Sequence, residues 1–427
     1  MERNNFDRRQ FVKAVSVGSL AGLVLNSVPV FAEAKKENDK LNFANIDDQS
    51  WVEIDNVLYG AKANDLGQIG GGSRYKNIIT KGDYIITDHD ALLESLMTKS
   101  EYGGITDHDT LLEDIIKKGE YTVTNVDNLL ASLAKAKAGQ VVFIPSETFI
   151  DLTTLIYIDE LVLEVPEGVT LAGDRGYNGS RGALLASDAT KTRVIIKAGG
   201  PNVRITGLRI QGPHPRRYID NHRKAFGPDP YTSGLGGAYY NKFPTSNGIV
   251  SNYNNLEVDN CEISAFSNGG INLNKTTNGH HIHHNYIHKC QRMGLGYGVV
   301  LEGATALIEY NMFNENRHSI AGTGRAGEGY IARHNIEMGI SLSHCFDMHG
   351  GRDRKDGTEI AGRSIEIYNN TFYAPTRAVA IRGVPQEECK VHNNWFQKHG
   401  NSGEAVRSEK NTTIFNNVYG AKPTVAI

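Results

Sequence analysis

The side chains best suited to proton transfer and anion binding sit in the second half of the chain, at matching places in short segments that align with one another. These segments are Gly248–Asn252, Gly270–Asn274, Gly298–Glu302, Ser319–Thr323, Cys345–His349, Ala378–Arg382 and Ala405–Glu409. If each is a strand, its side chains alternate between two faces. Ile249, Ile271, Val299, Ile320, Phe346, Val379 and Val406 then share the inner face, and Asn272, Asn274, Glu302, Thr323, Asp347, His349, Arg382 and Arg407 share the outer one. At the corner feeding these strands, Tyr297, His318, His344 and Arg377 occupy equivalent positions in four consecutive copies. His349 and Arg382 fall in adjacent copies, roughly 5 Å apart between backbones. Imidazoles titrate near neutrality and so exchange protons at working pH. Guanidinium groups neutralise carboxylates and developing oxyanions, and a phenol such as Tyr240 or Tyr297 offers a weak acid.

Two irregular stretches flank this face. Residues 213–243, PHPRRYIDNHRKAFGPDPYTSGLGGAYYNKF, carry five Lys/Arg against two Asp, with Arg216, Arg217, Lys224, Tyr239 and Tyr240 among them. The second stretch, GGRDRKDGTEIAG at 350–362, brings Arg352, and Arg325 lies just after the Ser319–Thr323 segment. Departures from a regular wall are where binding surfaces are built. Cationic, aromatic loops in an otherwise acidic chain predict an acidic ligand.

The elements that must position these residues come from a repeat. An aliphatic residue, two polar ones, Asn, any residue and then an apolar one recur as Ile282–Ile287, Ile308–Phe313, Ile367–Phe372, Val391–Phe396 and Ile414–Tyr419. The series starts at Val258–Ile263, a degenerate copy stands at Ala332–Glu337, and an earlier copy at Ile205–Ile210 lacks the Asn. The anchors 258, 282, 308, 332, 367, 391 and 414 are 24, 26, 24, 35, 24 and 23 residues apart. That period, with two-fold alternation and no helical stripe, predicts one coil of a parallel β-solenoid per repeat. Asn285, Asn311, Asn335, Asn370, Asn394 and Asn417 then form a hydrogen-bonded column with a structural role. The 53-residue step from Ile205 to Val258 reads as two coils, the second hidden in the loop at 213–243. Upstream, Thr124–Leu130 opens an amphipathic helix to Ala138, followed by a strand at Val141–Pro145; the helix is expected to cap the core. Its opening is echoed at Thr87–Leu93 and Thr106–Leu112, which predict duplicated helical caps.

The helix–Gly–strand opening, the coils and the Asn column resemble the pectate-lyase-like superfamily of right-handed parallel β-helices over residues 124–427. The resemblance implies an all-β solenoid with an N-terminal helical cap, and implies carbohydrate as the ligand class. That superfamily holds polysaccharide lyases, glycoside hydrolases, esterases and non-enzymatic adhesins. Its lyases often hold calcium, for which Asn274 and Glu302 offer oxygens here. No lysine occupies the aligned strand, so the lysine-base, calcium-dependent pattern is not reproduced, and no cofactor is expected.

Three readings follow. β-Elimination on a uronic acid needs a cation for the carboxylate, a base for the C5 proton and an acid for the oxygen leaving C4. Arg382 with Arg325, Arg352 or a loop cation suits the first task, His349, His318 or His344 the second, and Tyr240 or Tyr297 the third. Asn272, Glu302, Arg407 and loop residues Arg216, Arg217, Lys224 and Tyr239 would hold substrate. If the leaving oxygen is glycosidic the enzyme is a lyase; if it is a free hydroxyl, an oligosaccharide dehydratase. Glycoside hydrolysis would use two carboxylates; Glu302 and Asp347 are expected roughly 10–12 Å apart at backbone level, with Asp353 or Asp356 as supplements. A non-enzymatic surface solenoid leaves the His column unexplained.

Composition narrows the partners. A charged start, an apolar run over 15–31 and Ala32-Glu33-Ala34 predict a secretory signal over residues 1–34, and Arg8-Arg9-Gln10-Phe11-Val12-Lys13 resembles the twin-arginine export signal. A periplasmic or secreted location is therefore expected. Removing that segment takes four Lys/Arg and three Asp/Glu, leaving formal charge −4, which disfavours nucleic acid as the partner because such binders show a basic face. No other apolar run is long enough to span a membrane, and a monomer is expected. The four cysteines form no CxxC pair and read as core residues or free thiols. His280-His281-Ile282-His283-His284 reads as a surface polar patch rather than a metal site, although His281 and His283 share a face beside Asp259 and Glu309.

Overall fold

The computed structural model describes residues 49–86, 126–146, 148–227 and 234–425. The proposed signal and the paired modules at 87–93 and 106–112 lie outside the described residues. Short strands of alternating pattern assemble into three long sheets of eleven, eleven and nine strands. The chain visits them in rotation. Val141–Phe143 belongs to the first sheet, Phe149–Asp151 to the second and Leu163–Val165 to the third, and Thr170–Ala172 returns to the first beside Val141–Phe143. Neighbouring strands are parallel throughout the three sheets except the last pair of the second, where Thr424–Val425 runs antiparallel to Val418–Tyr419.

The sequence register is reproduced pair by pair. Val258, Ile282, Ile308, Ala332, Ile367, Val391 and Ile414 are successive partners along the first sheet. Ile249, Ile271, Val299, Ile320, Phe346, Val379 and Val406 do the same along the third. All but Ile414 are buried, and each fully enclosed aliphatic side chain contributes roughly 1.5–3 kcal/mol. One expectation fails: Ile205 pairs directly with Val258. The 53 residues are a single coil with a long excursion, because the loop inserts between the second-sheet strand Arg209–Gln211 and the third-sheet strand Asn247–Ser251. The 35-residue step is likewise one coil, its excess lying between Phe346–Met348 and Ser364–Tyr368.

The Asn column turns the first sheet into the second. Each Nδ2 donates to the next Oδ1 at 3.0–3.1 Å, from Asn285 through Asn311, Asn335, Asn370 and Asn394 to Asn417. The same oxygens accept the neighbouring backbone N–H. The residue before each Asn (His284, Tyr310, His334, Asn369, Asn393, Asn416) holds a left-handed backbone with φ of 48–54°. That conformation costs a non-glycine residue roughly 1–2 kcal/mol, which the buried amide ladder offsets.

A helix at Val126–Lys135 buries Leu129 and Leu133 beside the first coil. Residues 49–86, which the sequence leaves without a structural assignment, form a strap across the coils. Gly60 N–H donates to Asn393 O, Gly70 N–H to Tyr310 O, Gly72 N–H to Asn260 Oδ1 and Ile86 N–H to Phe143 O, each at 2.8–3.1 Å. All four cysteines are buried and unpaired, as core residues should be. No helix among the described residues is long and apolar enough to cross a membrane.

Candidate active site

The outer face of the third sheet gathers its chemistry around one residue. Asp347 lies between Ala321 and Ala380 in register, so small neighbours leave room above the sheet for larger side chains. Its carboxylate is fully enclosed. Arg382 donates to it twice, Nε to Oδ1 at 2.9 Å and Nη2 to Oδ2 at 2.7 Å, and gives Nη1 to Asp353 Oδ1 at 3.1 Å. Three imidazoles close the shell. His349 Nε2 lies 2.9 Å from Oδ2, His344 Nε2 3.1 Å from Oδ1 and His318 Nε2 3.9 Å from Oδ2. Burial alone would raise the Asp347 pKa, but His344, His349 and His318 outweigh it and hold the carboxyl well below the usual carboxylate range.

The corner column assembles as the alignment predicts. Tyr297 pairs with His318, whose ring stacks on His344 at 4.2 Å. Cys345 N–H donates to Arg377 O, which sets Arg377 beside His344 one coil on. The three histidines around Asp347, two from this column and His349 from the strand face, differ in kind. His318 is wholly buried, its Nδ1–H is taken by the His344 carbonyl at 2.6 Å, and burial pulls its pKa down to about 3. It is a neutral, enclosed ring that positions its neighbours and reaches no substrate. His344 and His349 keep solvent access, with 21% and 25% of their side chains exposed. Each turns Nε2 toward Asp347.

Several expected roles change. Arg382 is committed to Asp347 and Asp353, so it orients the site instead of clamping a substrate carboxylate. Tyr240 is buried in the inserted loop, its ring against Phe226, His222 and the Arg292 guanidinium. Burial raises its pKa, which makes it a poor proton donor. Tyr297 donates its hydroxyl to Gly294 O at 3.2 Å, and burial raises its pKa as well. Neither phenol is available as the acid. Glu302 pairs with Arg325 at 3.0 Å. Arg382, His344 and His349 hold Asp347 ionised, so it is a poor proton donor for glycoside hydrolysis. Calcium takes 6–8 oxygens, and a Glu302 already bound to Arg325 fits that poorly. His318, His344 and Asp347 do bring one donor atom each within 4.8 Å of one another, but Arg382 covers both carboxylate oxygens.

The remaining candidates surround this centre. Arg407 is exposed, one strand beyond Ala380 in the Asp347 column. Arg352 and Arg382 line a shallow groove of about 140 Å³ with Glu359, Glu409 and Lys410. Asn272 is buried on the outer face, donating to Ile249 O and Gly269 O, so it shapes the sheet. In the insertion, Arg216 and Lys224 are exposed, Arg217 meets Asp188 at 3.3 Å, and Tyr239 packs edge-on against Phe243. Sequence reasoning missed Arg292, a nearly buried residue whose guanidinium collects the carbonyls of Tyr240, Phe243 and Pro244 and so pins the insertion to the coil. No motif flags it; an isolated arginine at a repeat corner is the sole signal.

No family model matches the chain, and no curated protein matches it. Among solved structures it is similar to the Dettilon tailspike protein (TM-score 0.45, 14% identity, covering 70% of this chain and 59% of that one). It is also similar to an alginate lyase from Paenibacillus sp. FPU-7 (TM-score 0.39, 13% identity, 70% and 98%). A third is the catalytic unit of a GH87 α-1,3-glucanase from Streptomyces thermodiastaticus (TM-score 0.40, 14% identity, 69% and 56%). The chain thus spans under two thirds of the tailspike and of the glucanase unit.

Proposed function

We propose that this protein is an exported, monomeric, right-handed parallel β-helix that acts on a uronic-acid-containing poly- or oligosaccharide by β-elimination without a dedicated cofactor. The observation that carries this reading is Asp347, an enclosed carboxylate holding two solvent-accessible imidazoles and one arginine over the third sheet. An imidazole whose N–H faces a fixed carboxylate keeps one tautomer, and its cationic form is stabilised as it accepts a proton. His349 is therefore the base for the C5 proton. A protonated His344 returns a proton to the oxygen leaving C4. The C5–H and C4–O bonds break, a C4–C5 double bond forms, and the leaving group departs as an alcohol in a lyase or as water in a dehydratase. Arg407 and Lys410 are the cations offered to the sugar carboxylate, which acidifies the C5 proton; Arg352 beside them is already paired with Glu359 at 3.3 Å.

The test is incubation with uronate polysaccharides and oligosaccharides while following ultraviolet absorbance of the conjugated unsaturated sugar. Mass spectrometry separates chain cleavage from loss of water. His349→Ala should lower the rate by roughly 10²–10⁴-fold. New reducing ends without that absorbance, or full activity in His349→Ala, would overturn the reading.

A further inference from the structure

On the outer face of the first sheet, away from Asp347, the histidine run is more ordered than a surface patch requires. Glu257 and His281 are register partners in adjacent coils, and His283 stands two residues along the same strand. One donor atom from each of the three lies within 4.8 Å of the other two. The rings of His281 and His283 stack at 4.0 Å.

The second nitrogens settle which atoms are open. Asn64 Oδ1 accepts Leu66 N–H at 3.0 Å, which fixes the amide's orientation. The same oxygen lies 3.1 Å from His284 Nε2, so that nitrogen must donate. A neutral His284, buried between Tyr75 and Tyr310, then presents a bare Nδ1. His283 Nδ1 sits 2.9 Å from it and must be the donor. His283 thus has Nδ1 held by His284 and Nε2 facing the Glu257 carboxylate 3.3 Å away. His281 follows the same rule, since its Nε2 is 2.8 Å from Glu309 Oε1, an oxygen of a carboxylate also bound by Arg333. Both rings thus have one nitrogen held by an acceptor, the arrangement that orients metal-ligating histidines. Arg204 approaches Glu257 at 3.5 Å but is engaged by Asp259 through two bonds at 2.8 and 2.9 Å.

We propose that Glu257, His281 and His283 bind a divalent transition-metal ion, zinc in type, with Glu309 and His284 as the acceptors that orient the two imidazoles. Two histidines and a carboxylate suit zinc, with a further position open to water. The ion would staple two adjacent coils and, through His284 and Asn64, fix the strap over them. It is independent of the proposed elimination chemistry.

The test uses the full chain, stripped with a chelator, titrated with Zn²⁺ against a chromophoric competitor, with Co²⁺ absorption reporting nitrogen and oxygen ligands. One equivalent should bind. His283→Ala and Glu257→Gln should abolish it, and Asn64→Ala, which touches no ion, should weaken it by about 10-fold. His344→Ala should leave it unchanged. If His283 is merely an imidazolium paired with Glu257, no equivalent binds and the proposal fails. It fails equally if binding survives Glu257→Gln, or if it is His344→Ala that removes it.

Discussion

Replacing Asp347 by Asn keeps the shape of the side chain and removes its charge. The wild-type carboxylate accepts two bonds from Arg382 and faces three imidazole nitrogens with no exposure to water. An amide offers one acceptor and turns its own N–H groups toward donors, so Arg382 is left half satisfied under cover. Removing one partner of a buried ion pair costs about 3–5 kcal/mol. Arg382 keeps Asp353 at 3.1 Å, which puts the cost near the lower end, about 3 kcal/mol or roughly 150-fold in the folding equilibrium. The pH dependence supplies the sign. Asp347 is held well below the usual carboxylate range in the folded state. Its contribution is therefore complete above the unfolded value of about 3.9 and is lost as pH falls through the lower folded value. Urea unfolding followed by circular dichroism at pH 7, and again at steps below pH 4, should show a gap between the two proteins that closes with acid. A variant within about 0.5 kcal/mol of wild type at pH 7, or a gap that stays constant into acid, would refute the reasoning.

Asn335→Ala removes one rung of the column, with the bonds it makes to Asn311 N–H and Ile308 C=O; at about 1–3 kcal/mol for a buried group left unpaired, urea unfolding should show a loss of about 2 kcal/mol. Glu337 is wholly buried, and burial, outweighing the Ser319 hydroxyl, pushes its pKa up to about 8. The folded state then holds a proton that the unfolded chain releases, so stability should fall by about 1.4 kcal/mol per unit from about pH 4.5 to 8. Glu337→Gln should flatten that slope in a pH series of melts. Arg292→Ala frees the carbonyls of Tyr240, Phe243 and Pro244; limited proteolysis within 213–243 should accelerate several-fold while the sheet signal in circular dichroism is kept.

The parts of this structure that obey a period were readable from residues alone. Every anchor from Val258 to Ile414 pairs with the next as the repeat places it, and the strands leading to His349 and Arg382 align as the sequence predicts. What the period could not convey is who partners whom. The alignment set Arg382 beside His349 but could not tell that its three donors turn to Asp347 and Asp353, since side-chain direction depends on neighbours from other coils. Counting coils failed between Ile205 and Val258 for a related reason: an insertion near one period in length imitates a coil. The strap had no periodic signal at all. Asn64 and Gly70 carry meaning only against His284 and Tyr310, more than 200 residues away in sequence.

That strap has a consequence for how the molecule comes apart. A stack of repeats in which each layer touches just the next behaves as a row of loosely coupled units that can fray from either end. Here one continuous segment is bonded near both extremities, at Asn393 and Phe143, and at Tyr310 and Asn260 between them. Terminal layers cannot peel away without tearing a tether that also grips the middle, so loss of order should be abrupt, more like a laced boot than a stack of coins.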